Sequence, residues 1–432
     1  EGSKVRHRTL ANLSHASADE IQAMKLALKH KRDLQQLGSI NEHIHVQQGL
    51  SVGAVMTLWQ VAKRLGVVQA LGNSQNGKQA LWQVLARVID QGSRLSAVRL
   101  ATSHAACDVL GLEAFDEDDL YKNLDWLAEN QDRIEDKLFR SRYGSQKPDL
   151  YLYDVTSSYL EGLCNALGAF GYCRDGKKGK MQVVYGLLCD FQGAPVSIQA
   201  FAGNTADTKT FGQQVHKVTE RFGGGSVTMV GDRGMIKGPQ IKQLQAEKDH
   251  EFHYITAITK SQIESLLKKH VIQMELFDET VSEVIAKNDV RYVLRRNPIR
   301  AAEMAATRES KLAKLQKLVD EQNKYLAEHP RASLSVAQRK VEQKSKKLRL
   351  PAVDVKVDHR TLSLSKDQEQ WNEVAKLDGC YCVKTDLPKK QVSKEIVHQR
   401  YKDLSQVEWA FRTSKTVSLE ARPIYVLSLI HI

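Results

Sequence analysis

Apolar positions recur three and four apart along the first third of the chain, as in Ala18-Asp-Glu-Ile-Gln-Ala-Met-Lys-Leu-Ala-Leu and Ala54-Val-Met-Thr-Leu-Trp-Gln-Val-Ala-Lys-Arg-Leu. This period predicts an all-helical region over residues 1–145. The polar, Gly-containing stretch 140–147, with Pro148 behind it, reads as a linker. The period then changes. Runs at 150–161, 182–189 and 195–201 read as strands, 205–222 as a helix and 226–231 as a fourth strand. A helical crossover that is short and right-handed returns the fourth strand to the side of the first. Residues 251–258 complete the sheet. Hairpin-like runs at 281–294 and 353–364 flank helices in which Leu312, Leu315, Val319 and Leu326 form an apolar stripe.

Acids interrupt this pattern. Asp154 lies in Tyr151-Leu-Tyr-Asp-Val-Thr-Ser and Asp232 ends Val227-Thr-Met-Val-Gly-Asp, where a charge is unfavourable unless it is paired or binds a metal. The predicted strand order brings the two together although 78 positions separate them. A third acid, Glu408, sits in a late helix with Tyr401 seven residues before it and Lys415 seven after, a spacing that keeps all three near one face. Thr156 and Ser157 have no histidine in their motif and read as hydrogen-bonding strand residues.

Composition narrows the classes. A chain of 432 residues with 42% hydrophobic content holds two or three domains, and without an apolar run of 18 residues or an export signal it reads as soluble and cytoplasmic. The six cysteines read as reduced thiols, and Cys380-Tyr-Cys382 is spaced too tightly for a zinc site. The net charge of +12 is concentrated: residues 296–350 hold 14 Lys and Arg against 6 Asp and Glu. Such a segment is either a solvated helical face or an arm that contacts phosphates.

Strand order and acids together resemble the DDE insertion-sequence transposases, in the subgroup with a large insertion between the second Asp and the Glu. The resemblance is carried by Arg8-Thr-Leu-Ala-Asn-Leu-Ser, Asp154-Val-Thr-Ser-Ser-Tyr-Leu-Glu-Gly, Gly171-Tyr-Cys-Arg-Asp-Gly-Lys, Phe201-Ala-Gly-Asn-Thr-Ala-Asp, Gly231-Asp-Arg-Gly-Met and Val407-Glu-Trp-Ala-Phe-Arg-Thr-Ser-Lys. It implies an α/β protein: a ribonuclease H-like mixed sheet core with a helical N-terminal region and a mixed α+β insertion domain. The expected division is 1–145 helical and DNA-binding, 146–260 first part of the core, 261–390 insertion, 391–426 Glu-bearing helix, and 427–432 a foreign or truncated tail.

The resemblance further implies that Asp154, Asp232 and Glu408 are catalytic and bind two Mg²⁺ ions, with Mn²⁺ as a substitute. Asp154 would bridge both ions, Asp232 would bind one and Glu408 the other. The activity would be cleavage at the element's ends and joining of the 3′-hydroxyl to target DNA, by a homodimer. Tyr401, Lys415, Arg233 and Arg412 would contact DNA. Leu404 stands where the family pattern has an arginine, and Arg412, four residues after Glu408, is the expected substitute. Asp175 and Asp207 are expected to shape turns near the site. The alternatives are an inactive DNA-binding protein of the same fold and a related metal-dependent nuclease.

Overall fold

Strand β1 (Leu150–Tyr159) is buried at nearly every position, as a strand covered on both faces must be. It pairs antiparallel with β2 (Gln182–Asp190), which pairs antiparallel with β3 (Pro195–Ala202). On its other side β1 runs parallel to β4 (Ser226–Gly231), and β4 parallel to β5 (Glu251–Ala257). The order β3-β2-β1-β4-β5 places the fourth strand beside the first, through the helix Asp207–Lys217 and the π-helical turn Val218–Phe222. This is the ribonuclease H-like core within a mixed α/β protein. The computed structural model describes residues 14–32, 49–223, 225–246, 251–350 and 352–425, so the tail 427–432 and all but Ser14 of the block that begins at Arg8 lie outside the described residues.

Side chains of β1 alternate between two layers. Tyr151, Tyr153 and Val155 pack with Phe139, Phe211, Phe222 and their neighbours, while Leu150 and Leu152 pack with Val397, Leu404, Val407 and Phe411. Asp154 has the parity of the second set. It therefore faces the layer formed by the helices Lys394–Lys402 and Leu404–Arg412.

The sheet does not end at β5. Strand β10 (Cys380–Thr385) pairs antiparallel with β5, β7 (Arg291–Arg296) with β10, and β6 (Ser282–Ile285) with β7, which gives eight strands in the order β3-β2-β1-β4-β5-β10-β7-β6. The segment 261–390, expected as an insertion apart from the core, thus lends three strands to the central sheet. What stands outside is 298–376: the helix Pro298–Glu328, the helix Leu334–Leu348, the hairpin β8 (Val353–Asp358) and β9 (Thr361–Lys366), and the helix Gln368–Lys376. It has its own apolar core, in which Leu315, Val319 and Leu326 of the predicted stripe meet Val341, Leu362 and Trp371.

The join to the sheet is tied by ion pairs and a close backbone approach. Arg308 of the long helix reaches the buried Asp378, which Lys260 also approaches at 3.6 Å. At Gly379 (φ 72°) a Cβ would stand 2.3 Å from the Asn297 carbonyl oxygen, so only glycine lets β10 start this close to the helix cap.

The described residues of the first third are mainly helical, as their period predicts. Around the fully buried Trp82, whose Nε1 donates to the Ala97 carbonyl, pack Leu81, Leu85, Ala106 and Leu120. The stretch expected as a linker begins later than its composition implies, because the helix Gln131–Tyr143 runs through 140–143. That helix docks on the core. Arg221 pairs with Asp132, Glu135 and Asp136 at 2.5, 3.2 and 2.9 Å, and Ser197 Oγ donates to the buried Glu135. Among the described residues no helix is long and apolar enough to cross a membrane, and all six cysteines are free.

Candidate active site

The parallel pairing of β1 with β4 runs to Tyr153 opposite Gly231, so the next residues, Asp154 and Asp232, leave the two strands side by side. Beyond Gly231 the chain turns, with Met235 N and Ile236 N donating to the Asp232 carbonyl. This turn leaves the Asp232 carboxylate exposed at the strand end. Glu408 is exposed on Leu404–Arg412, one position round from the buried Val407 that anchors the helix to the sheet. All three acids line one cleft of about 380 Å³, together with Asn297, Tyr381, Tyr401, Lys402, Leu404 and Ser405.

The electrostatics of this cleft are unbalanced. Asp154 is partly buried, and the Val155 amide donates to its Oδ1 at 2.8 Å. Burial raises its pKa; the amide opposes this, the charges of Asp232 and Glu408 raise it again, and the net result is about 7. Arg174 acts more weakly in the other direction. Among the described residues none of the three carboxylates forms a salt bridge. Nor do three or more His, Cys, Asp or Glu side chains gather closely enough to hold a metal ion by themselves.

The late helix is broken. It ends at Lys402, restarts at Leu404 across the buried Asp403, and passes into the π-helical turn Thr413–Val417. Tyr401, Glu408 and Lys415 therefore do not share one uninterrupted face. The Tyr401 hydroxyl donates to Asp232 Oδ1 at 3.3 Å, and burial followed by the negative charge of Asp232 holds this phenol far above its usual pKa. Lys415 turns the other way. It is buried, donates to Thr156 Oγ1 at 2.9 Å and pairs with Asp175 at 2.9 Å, so its charge does not reach the cleft as a free cation.

Asp175 also receives Arg422 at 2.8 Å and the Tyr159 amide at 3.1 Å, while Asp207 pairs with Arg174 at 2.5 Å. These two acids therefore join chain segments. Arg233 and Arg412 are exposed, and among the described residues neither has a carboxylate partner. Leu404 is buried in the apolar layer beneath Glu408. Thr156 and Ser157 accept from Lys415 and from the Arg174 amide, in keeping with their expected hydrogen-bonding role.

Sequence reasoning missed Asn297, Tyr381, Lys402 and Ser405. Lys402 and Ser405 adjoin Tyr401 and could have been found from that block. Tyr381 and Asn297 come from β10 and the end of β7, which carry no acidic motif. The Tyr381 hydroxyl meets His398, whose pKa is pushed down to about 4 by burial and then by Lys402 and Arg295.

A protein-family model described as "Transposase DDE domain" matches residues 145–425. No curated protein matches the chain. Among solved structures it is similar to a piggyBac transposase synaptic complex with hairpin DNA, at 15% identity over 52% of this chain and 49% of that one, with a TM-score of 0.30. It is also similar to a Mos1 transposase paired-end complex with left transposon end, at 11% identity over 40% and 57%, with a TM-score of 0.18. The chain thus spans about half the length of these proteins, and likeness this distant adds nothing to the geometry above.

Proposed function

Because the chain belongs to the transposase DDE domain family, we propose that it is a DNA transposase which cuts the ends of its element and joins the freed 3′-hydroxyl to target DNA. The observation that carries this reading is the meeting of Asp154, Asp232 and Glu408 in one cleft without a cationic partner. Their donors are all carboxylate oxygens, which suits a hard divalent cation such as Mg²⁺, and their mutual repulsion suits any cation. Mg²⁺ is commonly held by a few carboxylates with water and substrate phosphate making up the rest, which is compatible with acids that stand apart around an open cleft. Bound there, two such ions would activate the attacking oxygen and stabilise the leaving one.

The chain's own residues do the rest. Tyr401 orients the Asp232 carboxylate through its hydrogen bond, and Val155 N holds Asp154 Oδ1. Lys402, Arg233 and Arg412 are exposed cations around the acids and would meet phosphates. Two element ends handled together would require a dimer, working on DNA in the cytoplasm. The test is a Mg²⁺-dependent cleavage and joining assay on DNA that carries the element's ends. Cutting and joining that stop in EDTA are expected; cutting without joining would make the protein a nuclease, and binding without cutting an inactive relative.

The helix Leu334–Leu348 supports DNA as the partner. It carries Arg339, Lys340, Lys344, Lys346 and Lys347 against a single acid, Glu342, and among the described residues none of these cations is ion-paired. Lys340, Lys344 and Lys347 recur four and three apart and so share a face. Changing these three to glutamine is expected to lower the slope of log affinity against log salt by roughly 0.9 for each phosphate that is no longer neutralised. Fluorescence anisotropy with duplex DNA over a salt series reads this. An unchanged slope would make the helix a solvated face.

A further inference from the structure

The loop 160–181, between β1 and β2, displays three large apolar side chains: Leu163, Phe170 and Tyr172 are 81%, 66% and 84% exposed. Large apolar groups left in water on a folded surface mark a binding site when they are held in place and share a neighbourhood. The loop beneath them is anchored. Ala169 and Gln182 exchange backbone hydrogen bonds, and the buried Gln182 side chain donates to the Gly203 carbonyl at 2.7 Å and to the Tyr172 carbonyl at 3.2 Å. Gly171, between the two aromatic residues, lies so close to the next backbone that a Cβ would stand 2.3 Å from the Gly203 carbonyl oxygen. Phe170 and Tyr172 are thus presented by a backbone that is already ordered, which reduces the entropy lost when something stacks on them.

The same loop carries unpaired positive charge. Lys177 and Lys178 are exposed, and among the described residues neither has a carboxylate partner; Lys177 lies 5.6 Å from the centre of the Tyr159 ring. Further in, Arg174 pairs with Asp207 and acts electrostatically on Asp154, while Asp175 ties the loop to Lys415. The Arg174 amide also donates to Ser157, three residues beyond Asp154 on β1, so this part of the loop lies against the strand that carries the first acid, and Phe170 and Tyr172 precede it in the same loop.

We propose that loop 160–181 binds unpaired DNA beside the acids, with Phe170 and Tyr172 stacking on bases and Lys177 and Lys178 meeting phosphates. This rests on the DNA-cutting reading above and adds to it which form of DNA the site prefers. In a duplex the bases are stacked on one another and only phosphates are offered, whereas a single strand offers both charge and open base faces. Flanking lysines favour a polyanion over an apolar protein surface.

The test is binding of the full chain to a duplex with a single-stranded 3′ overhang and to a blunt duplex of equal length, by anisotropy in EDTA at fixed salt. Phe170→Ala and Tyr172→Ala are each expected to weaken overhang binding on the order of tenfold, the loss of one stacked base, and to leave blunt duplex within about twofold. Tyr172→Phe keeps the ring and is expected to bind as the parent does. Equal losses on both DNAs, or no loss on either, overturn the proposal. So does a change in sedimentation with DNA binding intact, which would assign the surface to a second protein. Because no divalent metal is present, a chain that fails to cut DNA still reports on the loop, and the two readings fail separately.

Discussion

Replacing Asp154 with asparagine is expected to stop strand cleavage while making the metal-free protein more stable. On the reading proposed above, removing one carboxylate of the three would take away several kcal/mol of charge stabilisation for the reaction, which corresponds to about a thousandfold in rate. The stability gain has a separate origin. Burial, with the charges of Asp232 and Glu408, raises the folded-state pKa of Asp154 to about 7 from an ordinary value near 3.8. A carboxyl raised in this way binds its proton more tightly in the folded state, so the fold loses stability as pH climbs from about 4 to about 7 and keeps that loss above it.

The penalty at pH 8 is on the order of 4 kcal/mol before water in the open cleft screens it. Asparagine carries no charge and escapes it. Urea denaturation in EDTA should therefore show the Asp154→Asn midpoint above the parent's at pH 8, with the gap closing towards pH 5. Equal midpoints at pH 8 would mean that Asp154 is not electrostatically strained. Cleavage that persists in the variant would remove it from the chemistry.

Asp175→Ala is expected to destabilise the protein by about 3–5 kcal/mol, the usual consequence of leaving a buried charge without its partner. The Asp175 side chain is 2% exposed and receives Lys415, Arg422 and the Tyr159 amide. Alanine would leave the buried Lys415 with Thr156 alone. Burial by itself raises the Asp175 pKa, but hydrogen bonds from Lys415 and Arg422, with their charges, outweigh it and hold the group below its usual value.

The sign is then opposite to that at Asp154. The network's stability is present above about pH 4 and is lost as pH falls through the lower folded-state pKa. Denaturant titration at pH 7 and pH 3 checks both parts: a large loss at pH 7 that shrinks in acid. A change of less than about 1 kcal/mol at pH 7 would make the network incidental.

Much of the core could be read from the chain because its signals are local. The runs at 150–159, 182–190 and 226–231 alternate or stay buried over a strand's length, and the crossover rule then places β4 beside β1. From that placement Asp154 and Asp232 follow as neighbours. The stripe Leu315, Val319 and Leu326 was equally legible, since helical period and burial coincide there. Where reading failed, the pattern was ambiguous about partners. Arg291, at the start of β7, is 1% exposed, pairing with Glu283 at 2.8 Å and donating to the carbonyls of Leu387 and Val392. Nothing near it in sequence announces those acceptors.

The sequence by itself determined the kind and order of the first core elements, the two acids at adjacent strand positions and the concentration of charge in 296–350, because period, propensity and charge are properties of short stretches. Only the tertiary structure decided that β10, β7 and β6 extend the core sheet, that Tyr381 and Asn297 border the acid cleft, and that Lys415 turns away from it to Asp175. A strand's neighbours and a long side chain's direction depend on which distant groups can bury with it and satisfy its hydrogen bonds. In Lys415 the ammonium group goes to the carboxylate that can share its burial, and that partner lies 240 positions earlier in the chain.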